Sequence, residues 1–354
     1  MILVRECSNH DIMIRVLKHG DCGLVSSTLL PWMEKKYDDF QYKIILSFWE
    51  KKIISLYSQG VKYNLLNRFQ EYVFLPNFSK FDIFHVDAPR YSCVWTYLLK
   101  KKNRKIKTIS HFHGSQLRSP SIFSFFIIKH ILPKMSDVFL YSTPDLFIFL
   151  SGLSERSRRI ENIPKIWLPN PIDTSKFRPM PEIEKTEDEI LVFTRISPEK
   201  GVNKILKFIE NHKDKTFILI ELGDKNYIEK VRKEIKKRNL TNIRWEKPVR
   251  KSELPYFLNK FKYVLPQFHA AVEMLGCYGI SELEAASCGC KIIGMDWLNR
   301  EFVERYHSIE KVARRLYQIY YSLLSEDIDS LLKLQEESRP YWRKWRLKNS
   351  NLHS

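Results

Sequence analysis

Along the chain, short runs rich in β-branched and aromatic residues alternate with longer stretches whose apolar positions recur every three or four residues. The first pattern fits strands of a buried parallel sheet and the second fits helices, so the alternation predicts α/β architecture. In the first half, strands are expected at Tyr42–Phe48, Ile83–His85, Ile106–Phe112 and Asp137–Tyr141. Phe123–Ile131 (FSFFIIKHI) reads as a strongly apolar helix ended by Pro133. Residues 176–189 break the pattern, with Pro179, Pro181 and the polar EIEKTEDE, and read as a linker. The alternation then restarts, with strands at Ile190–Thr194, Thr216–Leu222, Ile243–Trp245, Tyr263–Pro266 and Lys291–Gly294. Helices are expected at Val202–His212, Tyr227–Arg238 and from near Ile280 to about Ser287. The simplest organisation is two doubly wound domains, 1–175 and 190–335, facing a cleft, with a terminal helix over 336–354 packing back on the first. Ligands of such sheets bind beyond the carboxyl ends of the strands.

Composition narrows the function classes. A chain of 354 residues with 44% hydrophobic and 28% charged residues can bury two cores. Its net charge of +18 is uneven: residues 51–150 carry 15 basic against 5 acidic side chains. Such a field favours nucleic acid, nucleotide phosphates or an anionic membrane surface, although a Lys-rich cytosolic protein kept soluble by charge would look the same. The six cysteines (7, 22, 93, 277, 288 and 290) are scattered, and Cys288-Gly-Cys290 has poor spacing for zinc, so reduced thiols in the cytoplasm are expected. No apolar run has the length of a membrane span, and the start reads as no signal peptide. A soluble or peripheral protein is expected.

Four segments carry candidate chemistry. Tyr278-Gly279-Ile280-Ser-Glu-Leu-Glu284-Ala-Ala-Ser-Cys-Gly289 reads as loop, helix and glycine stop. Amides at that helix start, near Gly279 and Ile280, suit a phosphate, and Glu284 one turn on could accept ribose hydroxyls. An ordinary αβ connection with a surface glutamate fits equally. Glu282 and Glu284 lie about 200° apart around the helix and cannot serve one site. Thr194-Arg195-Ile-Ser-Pro-Glu-Lys200-Gly201 follows a strand and brings a guanidinium and an ammonium suited to a diphosphate, or else a basic surface loop. His111-Phe-His113-Gly114 also follows a strand, and no nearby carboxylate or cysteine completes a metal set. Asn170-Pro-Ile-Asp173 reads as a structural turn.

In this order and spacing, the four segments resemble the family 4 retaining glycosyltransferases, of the group 1 glycosyl transferase type with a GT-B fold. The resemblance spans about residues 80–320. It implies that Arg195 and Lys200 bind the donor's diphosphate, that amides near Gly279 and Ile280 support it, and that Glu284 holds the ribose. His113 would lie near the transferred sugar. Transfer would keep the anomeric configuration, with cationic side chains in place of a metal and no cofactor. The local charge excess, with Lys100–Lys107 beside the aromatic stretch Phe123–Ile131, points to docking on the inner membrane face and to a glycolipid or lipid-linked acceptor, with a soluble glycan as the alternative.

Two positions depart from the family pattern. The carboxylate expected eight residues before Glu284 falls on Gly276, and Glu273 is the nearest substitute. The glycine-rich acceptor loop expected after the first strand falls on Cys7-Ser-Asn-His10-Asp11, which has no glycine. A donor-binding chain that no longer transfers sugar is therefore a rival reading. A nucleic-acid-binding protein is another, from Tyr341-Trp-Arg-Lys-Trp345-Arg, although no helix-turn-helix, zinc finger or RNP-like signature supports it.

Overall fold

The computed structural model of the chain describes residues 12–20, 25–46, 64–65, 80–87, 93–118, 122–155, 158–268 and 278–338. It forms two compact units. The first takes the described residues up to Ser142, Leu146–Leu168, and those from Ala313 onward; the second takes Thr143–Asp145 and Pro169–Val312.

The first unit contains strands β1 (Ile14–His19), β2 (Phe40–Leu46), β3 (Asn64–Leu65), β4 (Ile83–Asp87), β5 (Lys107–Phe112), β6 (Val138–Tyr141) and β7 (Lys165–Trp167). They make one sheet in the order β3-β2-β1-β4-β5-β6-β7, with every pair parallel. Helices α1 (Val25–Lys36), α2 (Cys93–Lys102), α3 (Ser115–Arg118), α4 (Ile122–Phe126), α5 (Asp145–Ser154) and α6 (Arg158–Glu161) lie between the strands in sequence. β4 and β6 are buried at every position, as parallel strands covered on both faces must be.

Three of these strands were not expected: the two-residue β3, and β1 and β7, which charged residues disguise. β1 reads IRVLKH, and its Arg15 and Lys18 break the apolar run. Arg15 makes a fork on Asp82 (2.8 and 2.7 Å), and Lys18 is buried against Asp87. Gly20, at φ 90°, follows this strand, so the strand leading into a glycine is Ile14–His19; Cys7–Asp11 lies outside the described residues. β7 has three residues and opens with a buried lysine, whose ammonium donates to the carbonyls of Ile160 (2.6 Å) and Ile163 (3.0 Å). The apolar helix expected over Phe123–Ile131 runs from α4 through a π-helical turn, Ile127–Ile131, and gives way to a 3₁₀ turn, Leu132–Lys134, which takes Pro133 near its start, where no amide is needed.

The second unit holds β8 (Thr186–Val192), α7 (Val202–Glu210), β9 (Thr216–Ile220), α8 (Lys225–Lys237), β10 (Ile243–Glu246), α9 (Leu254–Asn259), β11 (Phe261–Leu265), α10 (Ile280–Ser287), β12 (Lys291–Ile292) and α11 (Arg300–Tyr306). Its sheet is also parallel, in the order β10-β9-β8-β11-β12. α7 buries Val202, Ile205, Leu206 and Ile209, the i, i+3, i+4, i+7 stripe that its sequence announced. β8 begins inside the acidic stretch read as linker. Its exposed first residues work as strand because neighbouring strands and turns supply cations: Glu187 pairs with Lys262 (2.5 Å), Asp188 with Lys215 (2.8 Å) and Glu189 with Arg244 (2.7 Å). α12 (Ile309–Leu324) starts in the second unit and belongs to the first from Ala313. Residues 328–338 are helical; 339–354, and with them the Tyr341–Trp345 cluster, lie outside the described residues.

Candidate functional site

In the second unit, two loops at the carboxyl ends of adjacent strands meet the start of α10. The loop after β8 ends at Gly201, which sits at φ 71° and caps α7. The loop after β11 runs alongside it, and the Phe268 amide donates to the Lys200 carbonyl at 3.2 Å. Lys200 Nζ donates to Gln267 Oε1 at 2.5 Å. The Gln267 amide in turn donates to Glu282 Oε1 (3.3 Å), while Glu282 Oε2 accepts from the Gly279 amide (2.9 Å) and the Ser281 hydroxyl (3.0 Å). Glu282 is thus a buried N-terminal cap that ties the helix start to the Lys200 loop. Gly279 is extended (φ −104°), and a side chain there would meet Glu282 Oε2 and Gln267 Nε2, so polar groups crowd that position. Tyr278, just before it, is packed among Trp297, Phe302 and His307 and anchors the turn.

Glu284, one turn into α10, is buried. Burial pushes its carboxyl above the usual range, and the ammonium of Lys251 pulls it back. Lys251 comes from the loop after β10, bonds Glu284 Oε1, and lies 4.9 Å above the Phe177 ring. Among the described residues Oε2 of Glu284 has no hydrogen-bond partner. Ile280 packs partly buried against the core of this unit. Arg195 is engaged elsewhere: its guanidinium pairs with Glu199 at 2.7 Å on the exposed side of the same loop, apart from the Lys200–Gln267–Glu282 bonds. Glu273 and Gly276 lie outside the described residues. Asp173 caps its own turn, accepting from the Ser175 hydroxyl at 2.5 Å. Cys288 and Cys290 are free and buried, with burial pushing their thiols up to about 12 and about 11.

In the first unit, His113 belongs to a buried polar cluster on the central strands. Register pairs Lys18 with His85 and Asp87 with His111, so side chains from β1, β4 and β5 share one face. Asp87 Oδ1 is 2.6 Å from Lys18 Nζ, 2.9 Å from His113 Nε2 and 3.3 Å from His111 Nδ1, and Ser26 Oγ donates to Oδ2 at 3.3 Å. Ser142 Oγ lies 2.8 Å from His113 Nδ1 and 3.1 Å from His111 Nε2. Tyr320, from α12, reaches His85 Nδ1 at 2.7 Å. Burial and Lys18 hold His85 well below its usual pKa, and burial and His113 bring His111 to about 3; Asp87 is kept well below the carboxylate range by Lys18 and the histidines despite its burial.

This cluster corrects one argument made from sequence. A carboxylate does complete the histidine pair: His85, Asp87 and His111 place ligand atoms within 4.8 Å of one another. The charge balance is what weighs against a metal, because the Lys18 ammonium already neutralises Asp87. Lys18, His85, Asp87, Ser142, Tyr320 and Lys251 were all missed. A signal existed for some of them: His85-x-Asp87 and His111-x-His113 put polar residues at alternate positions of buried strands, which places them on one face.

Comparison with known proteins agrees with this architecture. Residues 173–344 match the family model described as glycosyl transferases group 1. A search among curated proteins by sequence found no match. Among solved structures the chain resembles HepE of Anabaena, crystallised with UDP, at 11% identity and a TM-score of 0.66, covering 88% of this chain and 100% of that one. Sucrose-phosphate synthase from Thermosynechococcus elongatus is similar at 11% identity and a TM-score of 0.64, with the same coverage. AviGT4, a glycosyltransferase involved in avilamycin A biosynthesis, is similar at 13% identity and 0.56, covering 88% of this chain and 98% of its own. At these identities the likeness shows the fold, two Rossmann-like units of GT-B type.

Proposed function

From the match of residues 173–344 to the group 1 glycosyl transferase model, we propose that the chain belongs to that family and transfers a sugar from a nucleoside diphosphate donor with retention of configuration and without a metal. The observation that carries this reading is the bonded series Lys200–Gln267–Glu282–Gly279, which sets an ammonium beside the amides of a helix start, with the half-engaged carboxylate of Glu284 one turn on. Lys200 and the α10 amides near Gly279 and Ile280 receive the diphosphate, with the Gly279 amide joining when Glu282 releases it and Arg195 when it leaves Glu199. Oε2 of Glu284 takes a ribose hydroxyl. These cations do the work of a metal on the leaving group. His113, and Glu273 in the stretch outside the described residues, serve the transferred sugar. UDP in HepE makes a uridine diphosphate sugar the first donor to test.

A lipid-linked or glycolipid acceptor, reached at an anionic membrane face, fits the surface of the first unit. Residues 88–136 contain ten Lys or Arg and no acidic residue, and Ile122, Phe125 and Phe126 of α4 are exposed among them. No helix among the described residues is long and apolar enough to cross a membrane.

Calorimetry with a panel of nucleoside diphosphate sugars in EDTA tests the donor site. Binding of one donor that weakens at least tenfold in Glu284→Ala supports the reading. Binding that requires a divalent ion removes metal independence, and no binding at all removes the donor site. Donor binding without transfer to any acceptor would favour the donor-binding rival, with Gly276 as the first position to restore.

A further inference from the structure

The buried cluster of the first unit has a direction, which follows from counting hydrogens. A neutral imidazole carries one N–H and one bare nitrogen, and an ionised carboxylate only accepts. His113 Nε2 therefore donates to Asp87 Oδ1 at 2.9 Å, and its Nδ1 is the acceptor. Ser142 gives its single hydrogen to that Nδ1 at 2.8 Å. Its oxygen then accepts from His111 Nε2 at 3.1 Å, which leaves His111 Nδ1 to accept from His85 Nε2 at 3.4 Å. His85 Nδ1 takes the hydroxyl hydrogen of Tyr320 at 2.7 Å. Among the described residues, each ring hydrogen then has a place in the series Tyr320→His85→His111→Ser142→His113→Asp87, and Lys18 donates to the same carboxylate oxygen at 2.6 Å. The competing order has His111 Nδ1 donate to Asp87 at 3.3 Å; Ser142 then either serves His111, which puts a hydrogen on both nitrogens of His113, or keeps serving His113 or the Phe112 carbonyl (3.3 Å), which leaves one ring nitrogen facing Ser142 Oγ without a hydrogen between them.

We propose that Asp87 is a positioning residue for sugar transfer: held ionised by Lys18, it fixes the ring orientation and tautomer of His113, and the series from Tyr320 to Ser142 locks that choice. The proposal rests on the reading that His113 serves the transferred sugar. A ring held by the protein on both nitrogens needs no reorganisation when charge develops beside it. Side chains acting through another residue in this way influence the transition state more than ground-state binding, so kcat is the parameter that moves.

The test pairs a structural with a kinetic readout on the full chain. Long-range proton–nitrogen spectra of ¹⁵N-histidine-labelled protein at neutral pH are expected to show His85, His111 and His113 each with its hydrogen on Nε2. Asp87→Asn is expected to disturb the His113 tautomer and lower kcat roughly ten- to a thousandfold, with donor KM held within about twofold. Where that variant fails to fold, Lys18→Met with Asp87→Asn removes both buried charges together, and Ser142→Ala breaks only the Nδ1 side; each is expected to lower kcat at near-constant KM. His113 with its hydrogen on Nδ1 alone would overturn the proposal, as would an unchanged kcat in a folded Asp87 variant whose tautomer has moved. Full activity in His113→Ala, with the expected tautomers in the parent chain, would instead overturn the reading of His113, and the catalytic role of Asp87 with it, while the hydrogen-bond series stands.

Discussion

The Phe268 amide and the Lys200 carbonyl, 3.2 Å apart, zip together two loops that belong to different strands, and Gly201 completes the seam. A Cβ at Gly201 would lie far inside van der Waals contact with the Phe268 carbonyl oxygen, and its φ of 71° is left-handed. Gly294 has almost the same backbone, φ 77°, with open space around it. Gly294→Ala should therefore cost only the left-handed conformation, about 1 kcal/mol, and Gly201→Ala at least about twice that. Gly201→Ala should also weaken donor binding, by displacing Lys200. Chemical denaturation and donor titration of the two variants check this, and equal costs would show that the seam is loose.

Glu282 and Glu284 are two residues apart on one helix and should fail differently. Glu282→Ala leaves the Gly279 and Gln267 amides without their carboxylate, a loss of about 1–3 kcal/mol of stability. Glu284→Ala removes a buried carboxyl whose burial is already unfavourable, so stability should change little while donor affinity falls. Denaturation midpoints and donor affinities measured together separate the two, and a reversal of the pattern would reassign the ligand carboxylate to Glu282.

Lys251 should be felt through pH. Burial raises the Glu284 carboxyl and Lys251 lowers it, so Lys251→Met should raise it further. The ionised fraction then grows with pH, so donor affinity in the variant should recover as pH rises from 5.5 to 8.5. The parent should vary less over that range. Parallel pH profiles for the two proteins would sink the idea that Lys251 keeps Glu284 ionised.

His307 predicts an acid weakness of the fold. It lies buried between the Asn170 carbonyl (2.8 Å) and the Tyr278 hydroxyl (3.1 Å), and burial lowers its pKa from 6.5 to about 4. A folded value below the unfolded one means that unfolded chains bind the proton first. This contribution is therefore complete above pH 6.5 and is lost as pH falls from 6.5 towards 4, by at most about 3 kcal/mol. His307→Gln should show a shallower fall in melting temperature over that window. A slope equal to the parent's would place the acid sensitivity elsewhere.

Much of the second unit was legible because its elements follow simple periods. The α7 stripe, the start of α10 at Ile280 and the glycine after it were read within a residue or two of where they stand. Misreadings arose where charge interrupts burial. Arg15 and Lys18 hid β1, and the acidic residues 187–189 disguised the start of β8. In each case a cross-strand partner, distant in sequence, neutralises the charge that made the segment look unlike a strand.

By itself the sequence determined two parallel α/β units, the loops that end their strands, and which of those loops carry cations, histidines and a helix start, because these follow from period, turn chemistry and short spacing. Only the tertiary structure decided how the charges pair. It placed Lys251 on Glu284, Arg195 on Glu199 and Lys200 on Gln267. It also gathered Lys18, His85, Asp87, His111 and His113 around one carboxylate oxygen. The physical reason is that a buried charge takes its meaning from its partner, and strand register selects partners that lie 67 or 69 residues apart as readily as neighbours.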